Sequence, residues 1–524
     1  MKYTVSQSEG DDLHGTLEPD KKLTLLQPYS ENYFVSGAVE KQGRAKSILT
    51  RRLGWVDITG TTAGVCAGIR YFWQMHPKAL TLDGNGTIGI HIVPRQEKPV
   101  IVPQGITSQA DIRMDFFTGA ARTHEFMIAF HRPDVKPASV AMAVVDPLMA
   151  VCPTSWYCQN TRVEGFLWDS NPENFKPEYR ELVSEYQKKI DQVFKECAGP
   201  VRRGGKRGTE EYGFFSFGAG TESKGDTFIT PNDWLNTRWD GNYYDFPRAV
   251  LVNFWRTGDL NYWDVAQDSA LHLADVDIAH YNPSNPKLNG IEHTCPNRGH
   301  FRQWWGGEPF GVSGNMDSTK SESLYDLYHM TGDMWFLDCA LLVAEYSMNH
   351  TGGALRAIAN RAKNLIEAYE QTGEKKYLDE ATKWLEKTLV PRGPDKAWDQ
   401  NWMYGMASEV LMDIYRKTGD TKFAQTTVNC CDSLINCYWK NDTEGVMPLV
   451  GFTLISFGHA YELTGNELYL KKGLLMLKKT IEEYAGSTKT FAQGFRISPY
   501  FLHYLSKEYQ PPADPVIKTS NAKK

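Results

Sequence analysis

The chain has little that would suit a nucleic-acid or membrane protein. Lys and Arg number 57 against 63 Asp and Glu, a net charge of −6 over 524 residues. That gives no general attraction to nucleic acid or to anionic membranes. An acidic protein that takes an acidic ligand must hold it with a local cluster of Arg and His. No apolar run is long enough to cross a bilayer. The N-terminus lacks a basic segment followed by an apolar one, because Met1 leads into a polar stretch, Lys2 to Lys22. Taken literally, the chain is expected to be cytoplasmic, unless it is a mature or truncated form that has lost its signal. The cysteines are 9, an odd count, with no CxxC pair and no Cys/His spacing that fits zinc. They read as small buried side chains. Cys152 and Cys158 are placed for a local disulfide that nothing requires. No dense carboxylate cluster offers to hold a metal, so no cofactor is expected.

What is present is a globular composition, 41% hydrophobic and 23% charged, in a chain too long for one ordinary core. Two or more domains are expected. The 15 Trp and 26 Tyr are many for this length. Aromatic faces stack on sugar rings, but they also fill cores.

Residues from about 23 to 165 read as strands, and 1–172 as a β-sandwich domain. Strand-like runs are Thr87 to Val93, Asp111 to Phe117 and His124 to Phe130. Asp83-Gly84-Asn85-Gly86 is a hairpin-turn signal, because Asp-Gly and Asn-Gly tolerate positive φ. Residues 173–200 switch to helical spacing, with Tyr179, Leu182, Val183, Tyr186, Ile190 and Phe194 on one face, and read as a connector. Arg202 to Gly208 reads as a basic loop.

Residues 201–510 read as a toroid of paired helices, followed by a tail, 511–524. A short turn recurs: Arg256-Thr257-Gly258-Asp259, Met330-Thr331-Gly332-Asp333, Gln371-Thr372-Gly373-Glu374, Lys417-Thr418-Gly419-Asp420 and Leu463-Thr464-Gly465-Asn466. The Gly is expected to end one helix in the left-handed conformation, and the next residue to cap the following helix. Gly373, Gly419 and Gly465 are equally spaced, one helical hairpin plus its return loop apart. Long return loops rich in Trp, Arg and His favour closure into an (α/α) toroid over an open solenoid. The expected class is therefore a multidomain β plus α protein, an N-terminal β-sandwich followed by an (α/α) toroid.

The longest return lies between Tyr281 and Thr319, and long loops inside a compact domain are often functional. It holds His293, Arg298, His300, Arg302, Trp304, Trp305 and Glu308. A solvated loop seldom needs paired Trp, and a core seldom holds two Arg. The floor of a cleft for a negatively charged ring satisfies both. Asp317 or Ser318 is a good N-cap for the helix that follows, with Lys320 and Glu322 read as solvated or facing the pocket. Arg238 and Tyr244 precede the first toroid helix, and Arg361 and Tyr404 stand at similar points of later repeats. For each of these alone, packing is as good a reading as function.

The loop, the repeat and the run Tyr71-Phe72-Trp73-Gln74-Met75-His76-Pro77-Lys78-Ala79-Leu80 together resemble the exo-rhamnogalacturonan lyase and YetA-like group. The L-rhamnose-α-1,4-D-glucuronate lyases look similar in architecture. The resemblance spans about residues 30 to 505. It implies a polysaccharide lyase cleaving rhamnose–uronic acid linkages of plant glycans, rhamnogalacturonan or rhamnose-capped arabinogalactan, by β-elimination in a periplasmic or secreted setting. Such proteins usually carry a further N-terminal β domain, which is expected to be absent or trimmed here. The expected partner is an oligo- or polysaccharide containing uronic acid, with no nucleic acid and no membrane.

Elimination at a uronic acid needs the carboxylate neutralised, a base near C5 and a proton donor at the leaving oxygen on C4. Arg298, Arg302 or Arg238 suits the first by bidentate pairing. His300 or His293 is the candidate base, and Tyr244 the donor or both. Trp304, Trp305, Glu308, Glu322, Arg361 and Tyr404 are candidate substrate-binding residues. Two rivals stand beside this. A toroid glycosidase would use two of Asp240, Glu308, Asp317 and Glu322. A glycan-binding protein without turnover would use the Trp pair and the Arg cluster only to hold its ligand.

Overall fold

The computed structural model describes residues 1–8, 12–28, 32–44, 52–94, 101–102, 106–107, 119, 121–160, 166–198, 212–214, 217–218, 242, 244–283, 285–292, 316–317, 319–438, 450–483 and 487–517. Among these, no helix is long and apolar enough to cross a membrane.

Alternation of apolar and polar residues builds the N-terminal part. Strand β3 (Lys22–Gln27) buries every second residue, and Leu23 and Leu25 are nearly inaccessible. One five-stranded antiparallel sheet runs β12-β7-β6-β1-β2, where β1 is Lys2–Ser8, β2 Leu13–Thr16, β6 Arg52–Thr59, β7 Gly64–Ile69 and β12 Phe126–His131. The second runs β5-β4-β3-β8-β9, where β4 is Asn32–Gly37, β5 Lys41–Arg44, β8 Lys78–Asp83 and β9 Ile88–His91. Their facing residues, among them Val5, Leu25, Val35, Ile58, Ile69 and Leu80, form one sealed core. The Asp83 to Gly86 turn closes the β8–β9 hairpin, the Asp83 amide donating to Thr87 O at 2.9 Å. Two departures from the strand reading follow the last strand: α1 (Pro137–Val145) packs on β7, and α2 (Thr154–Asn160) packs on the first toroid helix. The run Asp111 to Phe117 lies outside the described residues. Cys152 and Cys158 are free thiols.

The remainder is a closed ring. The helices are α3 (Arg180–Cys197), α4 (Phe246–Thr257), α5 (Leu260–His272), α6 (Glu322–Thr331), α7 (Met334–Asn349), α8 (Leu355–Thr372), α9 (Lys375–Thr388), α10 (Met403–Thr418), α11 (Thr421–Tyr438), α12 (Val450–Thr464), α13 (Glu467–Glu483) and α14 (Thr488–Phe495). Helices α4, α6, α8, α10, α12 and α14 each touch the next, and α14 returns to α4. Each has an outer partner: α5, α7, α9, α11 and α13 for the first five, and α3 for α14. The amphipathic run read as a connector thus supplies the outer helix beside α14, burying Val183, Tyr186, Ile190 and Phe194. Inner helices are buried on nearly every side, as α4 is from Phe246 to Arg256, whereas the outer α9 buries only Tyr377, Ala381, Trp384 and Leu385.

The recurring Thr-Gly-Asp turn works by one local mechanism. Thr257 Oγ1 donates to Asn253 O at 2.7 Å and accepts the Asp259 amide at 3.2 Å. Gly258 takes φ 71°, a region that penalises a side chain. The Asp259 carboxylate then caps α5 by accepting the Asn261 amide at 2.9 Å. The same bonds recur at Thr331/Asp333 and Thr418/Asp420. All these turns end inner helices, so the N-termini of the inner helices gather at the opposite end of the ring.

The sandwich docks beside that opposite end. The Tyr71 to Leu80 run sends Phe72 into the sandwich core and Trp73 and Met75 against Tyr212, Phe217 and Leu271. Where α5 loosens into a π turn, Leu273–Asp277, the Asp275 carboxylate accepts from the Thr123 amide (2.7 Å), Thr123 Oγ1 (2.8 Å) and Trp335 Nε1 (2.8 Å). Arg122 lies 3.5 Å from the same carboxylate.

Candidate active site

The first inner helix opens on strained backbone. Tyr244 and Asp245 both take left-handed conformations, φ 63° and 59°. Two successive non-glycine residues in this region are held only where their surroundings compel it, and such strain gathers at functional sites. The compulsion is visible. The Asp245 carboxylate accepts the Arg248 amide (3.3 Å) and the Ser323 amide (3.2 Å), capping α4 and α6 together. Burial and then the Glu322 carboxylate push the Asp245 carboxyl up.

This turn aims the Tyr244 ring at the mouth of the bore. Arg356, in the first turn of α8, donates to Tyr244 Oη at 3.0 Å through Nη1 and to the Asp317 carboxylate at 2.8 Å through Nη2. The guanidinium carbon lies 5.2 Å from the Trp402 ring centre. Trp402 and Phe452 meet the Tyr244 ring edge-on, at 5.5 and 5.1 Å. The Lys320 ammonium sits 5.4 Å from the Tyr244 ring centre. A phenol thus stands between two cations in an aromatic slot. Burial raises the Tyr244 phenol, with Arg356 and Lys489 limiting the rise, so it is protonated at neutral pH. Burial pulls the Lys320 ammonium down to about 8, against the pull of Glu292. Burial also holds the Glu292 carboxyl well above the usual range.

The segment bearing Asp317 and Lys320 is pinned from below. Asn360 Nδ2 donates to Met316 O (2.9 Å) and Asp317 O (2.8 Å), and Asn364 Nδ2 donates to Thr319 O (3.1 Å). Thr319 Oγ1 accepts the Glu292 amide at 3.1 Å. The chain therefore enters its longest return at Glu292 and leaves it at Met316, both at this end of the ring.

Below the mouth the bore is filled with charge. Glu322 is bound by Arg496 and approached by Lys363 (3.6 Å) and Arg248 (3.9 Å). Burial opposes its ionisation, but these three cations outweigh burial and hold its carboxyl below its ordinary value. Lys363 also meets Glu367 (3.2 Å), Glu409 (3.5 Å) and Asp413 (2.9 Å). A cavity of about 110 Å³ lies at the far end, lined by Glu370, Asp413, Arg416, Lys417, Tyr500 and Tyr504. Its charges are paired: Lys417 with Glu370, Arg416 with Glu462 at 2.8 Å and Lys363 with Asp413. The strained backbone and the Arg–Tyr pair lie at the other end, which is the stronger candidate for chemistry.

Of the residues singled out from sequence, Tyr244 stands in this mouth and Glu322 lies buried beneath it. Arg361 and Tyr404 do not join them. Both sit on inner helices but face the outer layer. Arg361 donates to Ser347 O (2.8 Å) and to Glu380 (2.7 Å) and lies over Trp384. Tyr404 Oη accepts the Trp398 amide at 2.6 Å and meets Ser433 Oγ at 3.0 Å. Helix α8 begins at Leu355, so Arg356 stands at its mouth and Arg361 is more than a turn further in. The Gly352-Gly353 pair before it was the available signal. Asp317 is not the cap: α6 starts at Glu322, with Asp245 capping from another helix, and Ser318 lies outside the described residues. Lys320 and Glu322, read as solvated or pocket-facing, are 3% exposed. Arg238, His293, Arg298, His300, Arg302, Trp304, Trp305 and Glu308 lie outside the described residues, as does the basic run Arg202 to Gly208.

No protein-family model matches the chain, and no curated protein is similar to it in sequence. Several solved structures align with it. A family 76 glycoside hydrolase from a bovine Bacteroides thetaiotaomicron strain is 9% identical, with 94% of each chain covered and a TM-score of 0.42. Polysaccharide Lyase BACCELL_00875 is 12% identical, over 53% of this chain and 96% of its own, at 0.38. An unsaturated glucuronyl hydrolase from Streptococcus agalactiae, complexed with dGlcA-GalNAc6S, is 12% identical, over 69% and 97%, at 0.40. Likeness at this level assigns neither reaction nor substrate.

Proposed function

We propose that the protein is a polysaccharide lyase that cleaves rhamnose–uronic acid linkages by β-elimination, at the inner-helix N-terminal end of the toroid. The observation that carries this is the contact of Arg356 with Tyr244 Oη at 3.0 Å, beside the Lys320 ammonium. Elimination asks for cations on a carboxylate and a neutral acid next to them, and this arrangement supplies both. In the reaction, a base takes the C5 proton and the C–H electrons become the C4–C5 double bond. The C4–O bond breaks, and the Tyr244 phenol protonates the departing oxygen. Arg356 carries the uronate carboxylate, while Lys320 adds positive potential below the ring. His300 or His293 is the base and Arg302 a second carboxylate ligand, on the strength of their residue types and of the return loop that starts and ends at this mouth. The sequence resemblance supplies rhamnogalacturonan and rhamnose-capped arabinogalactan as substrates to try.

The test is incubation with both glycans, followed by mass spectrometry and ultraviolet absorbance. A lyase yields an unsaturated uronide that absorbs. One observation favours a second reading, a hydrolase: burial pushes the Glu292 carboxyl well above the usual carboxylate range, the direction a general acid needs. Products with new reducing ends and no absorbance would select it.

A pH dependence follows from Lys320. Its cationic form is lost as pH rises through about 8. The kcat/KM is therefore expected to fall on the alkaline side with a midpoint near that value, and Lys320→Arg to flatten the fall, since Arg stays charged. A profile that rises through this range would make Lys320 a base instead.

A further inference from the structure

We infer that the Asp317 carboxylate is an internal stand-in for the substrate's carboxylate on Arg356, exchanged for it when a uronate enters. This rests on the uronate reading above and names how the site is kept ready. Asp317 accepts from Arg356 Nη2 at 2.8 Å while Nη1 of the same guanidinium donates to Tyr244. The fork therefore holds an anion beside the phenol, the juxtaposition that elimination requires. The pair is reachable: the side chains are 14% and 23% exposed, whereas Tyr244 is 3% exposed and Lys320 lies beneath it.

The exchange costs little structure. Asp317 is held at its backbone as well as by Arg356, because Asn360 donates to Met316 O and Asp317 O. Its side chain can turn toward solvent while its own backbone stays in place, so Lys320 and the Glu292–Thr319 contact are undisturbed. A buried guanidinium without any anion would be expensive, and the stand-in removes that cost until substrate replaces it. Its affinity must then be modest, which suits a partly exposed ion pair.

The test uses the full chain with Asp317→Asn, Asp317→Ser and Arg356→Ala. Binding of free galacturonate, glucuronate and rhamnose is measured by calorimetry, and kcat and KM on the glycan that turns over. Both Asp317 variants are expected to bind the uronates about two- to fivefold more tightly, the worth of a partly exposed ion pair, with rhamnose unchanged. Arg356→Ala should lose uronate binding. Equal or weaker uronate binding in both Asp317 variants, with binding still dependent on Arg356, would overturn the stand-in and leave the uronate site intact. Loss of kcat at unchanged uronate affinity would overturn it by making Asp317 a reacting group. No uronate binding by any form would overturn the uronate reading and the stand-in together.

Discussion

Tyr244→Phe is expected to lower kcat by about 10²- to 10⁴-fold on the cleaved glycan, the usual worth of a general acid, with KM little changed. The substitution removes one oxygen and keeps the ring, so the slot formed with Trp402 and Phe452 survives. Arg356 keeps its bond to Asp317, so the carboxylate-binding cation stays in place. What is lost is the proton for the departing oxygen, an interaction made only as the C4–O bond breaks, and such losses fall on kcat. The stability cost is small by comparison. Arg356 Nη1, on a side chain that is 14% exposed, loses one acceptor, on the order of 1–2 kcal/mol. A steady-state comparison and a thermal melt on the same preparation separate the effects. Unchanged turnover would remove the phenol from the mechanism. If Glu292→Gln instead abolished turnover while Tyr244→Phe did not, the hydrolase reading would replace elimination.

The parts that were legible in sequence are those fixed within a few residues. The Thr-Gly-Asp turns carry their own bonds, Thr257 to Asn253 and Asp259 to Asn261, so they are readable wherever they stand. The helical repeat and the sandwich pattern follow from them and from strand alternation. Ring closure was legible only as an inference from loop composition, because it depends on α14 meeting α4 across the whole repeat. The site was less legible for the same reason. Asp245 looks like an ordinary residue before a helix, yet it caps a second helix at Ser323. Lys320 and Glu322 stand in a polar run that reads as solvated, and only the bore of the toroid makes them buried. Arg361 and Tyr404 misled because an inner helix turns some of its polar residues outward, toward the second layer. Without a fixed helix start, the facing cannot be assigned.

Lys363→Met is expected to destabilise the protein by about 3–5 kcal/mol, the usual consequence of removing one partner from a buried ionic cluster. Lys363 draws Glu322, Glu367, Glu409 and Asp413 to within 3.6, 3.2, 3.5 and 2.9 Å. With the ammonium gone, Arg248 and Arg496 must serve these carboxylates as well as Asp326. The pH dependence should separate this from a simple packing defect. In the native protein burial opposes the Lys363 charge, but Asp413 and Glu322 lead a group of acids that raises the folded value well above 10.5. Its stabilisation is then fully present below the unfolded value and is lost only as pH rises through the folded one, so it is constant at neutral pH. In the variant Glu322 and Glu409 lose the cation that lowers their carboxyls, so both folded values move upward. A carboxyl shifted that way destabilises the fold while ionised and ceases to do so as it takes up a proton. The gap between variant and native should therefore narrow as pH falls from 7 toward 5. Adding Glu409→Gln should recover part of the loss at pH 7, since one uncompensated charge is removed. A pH-independent gap, or no recovery in the double variant, would mean that Lys363 acts by filling space rather than by charge.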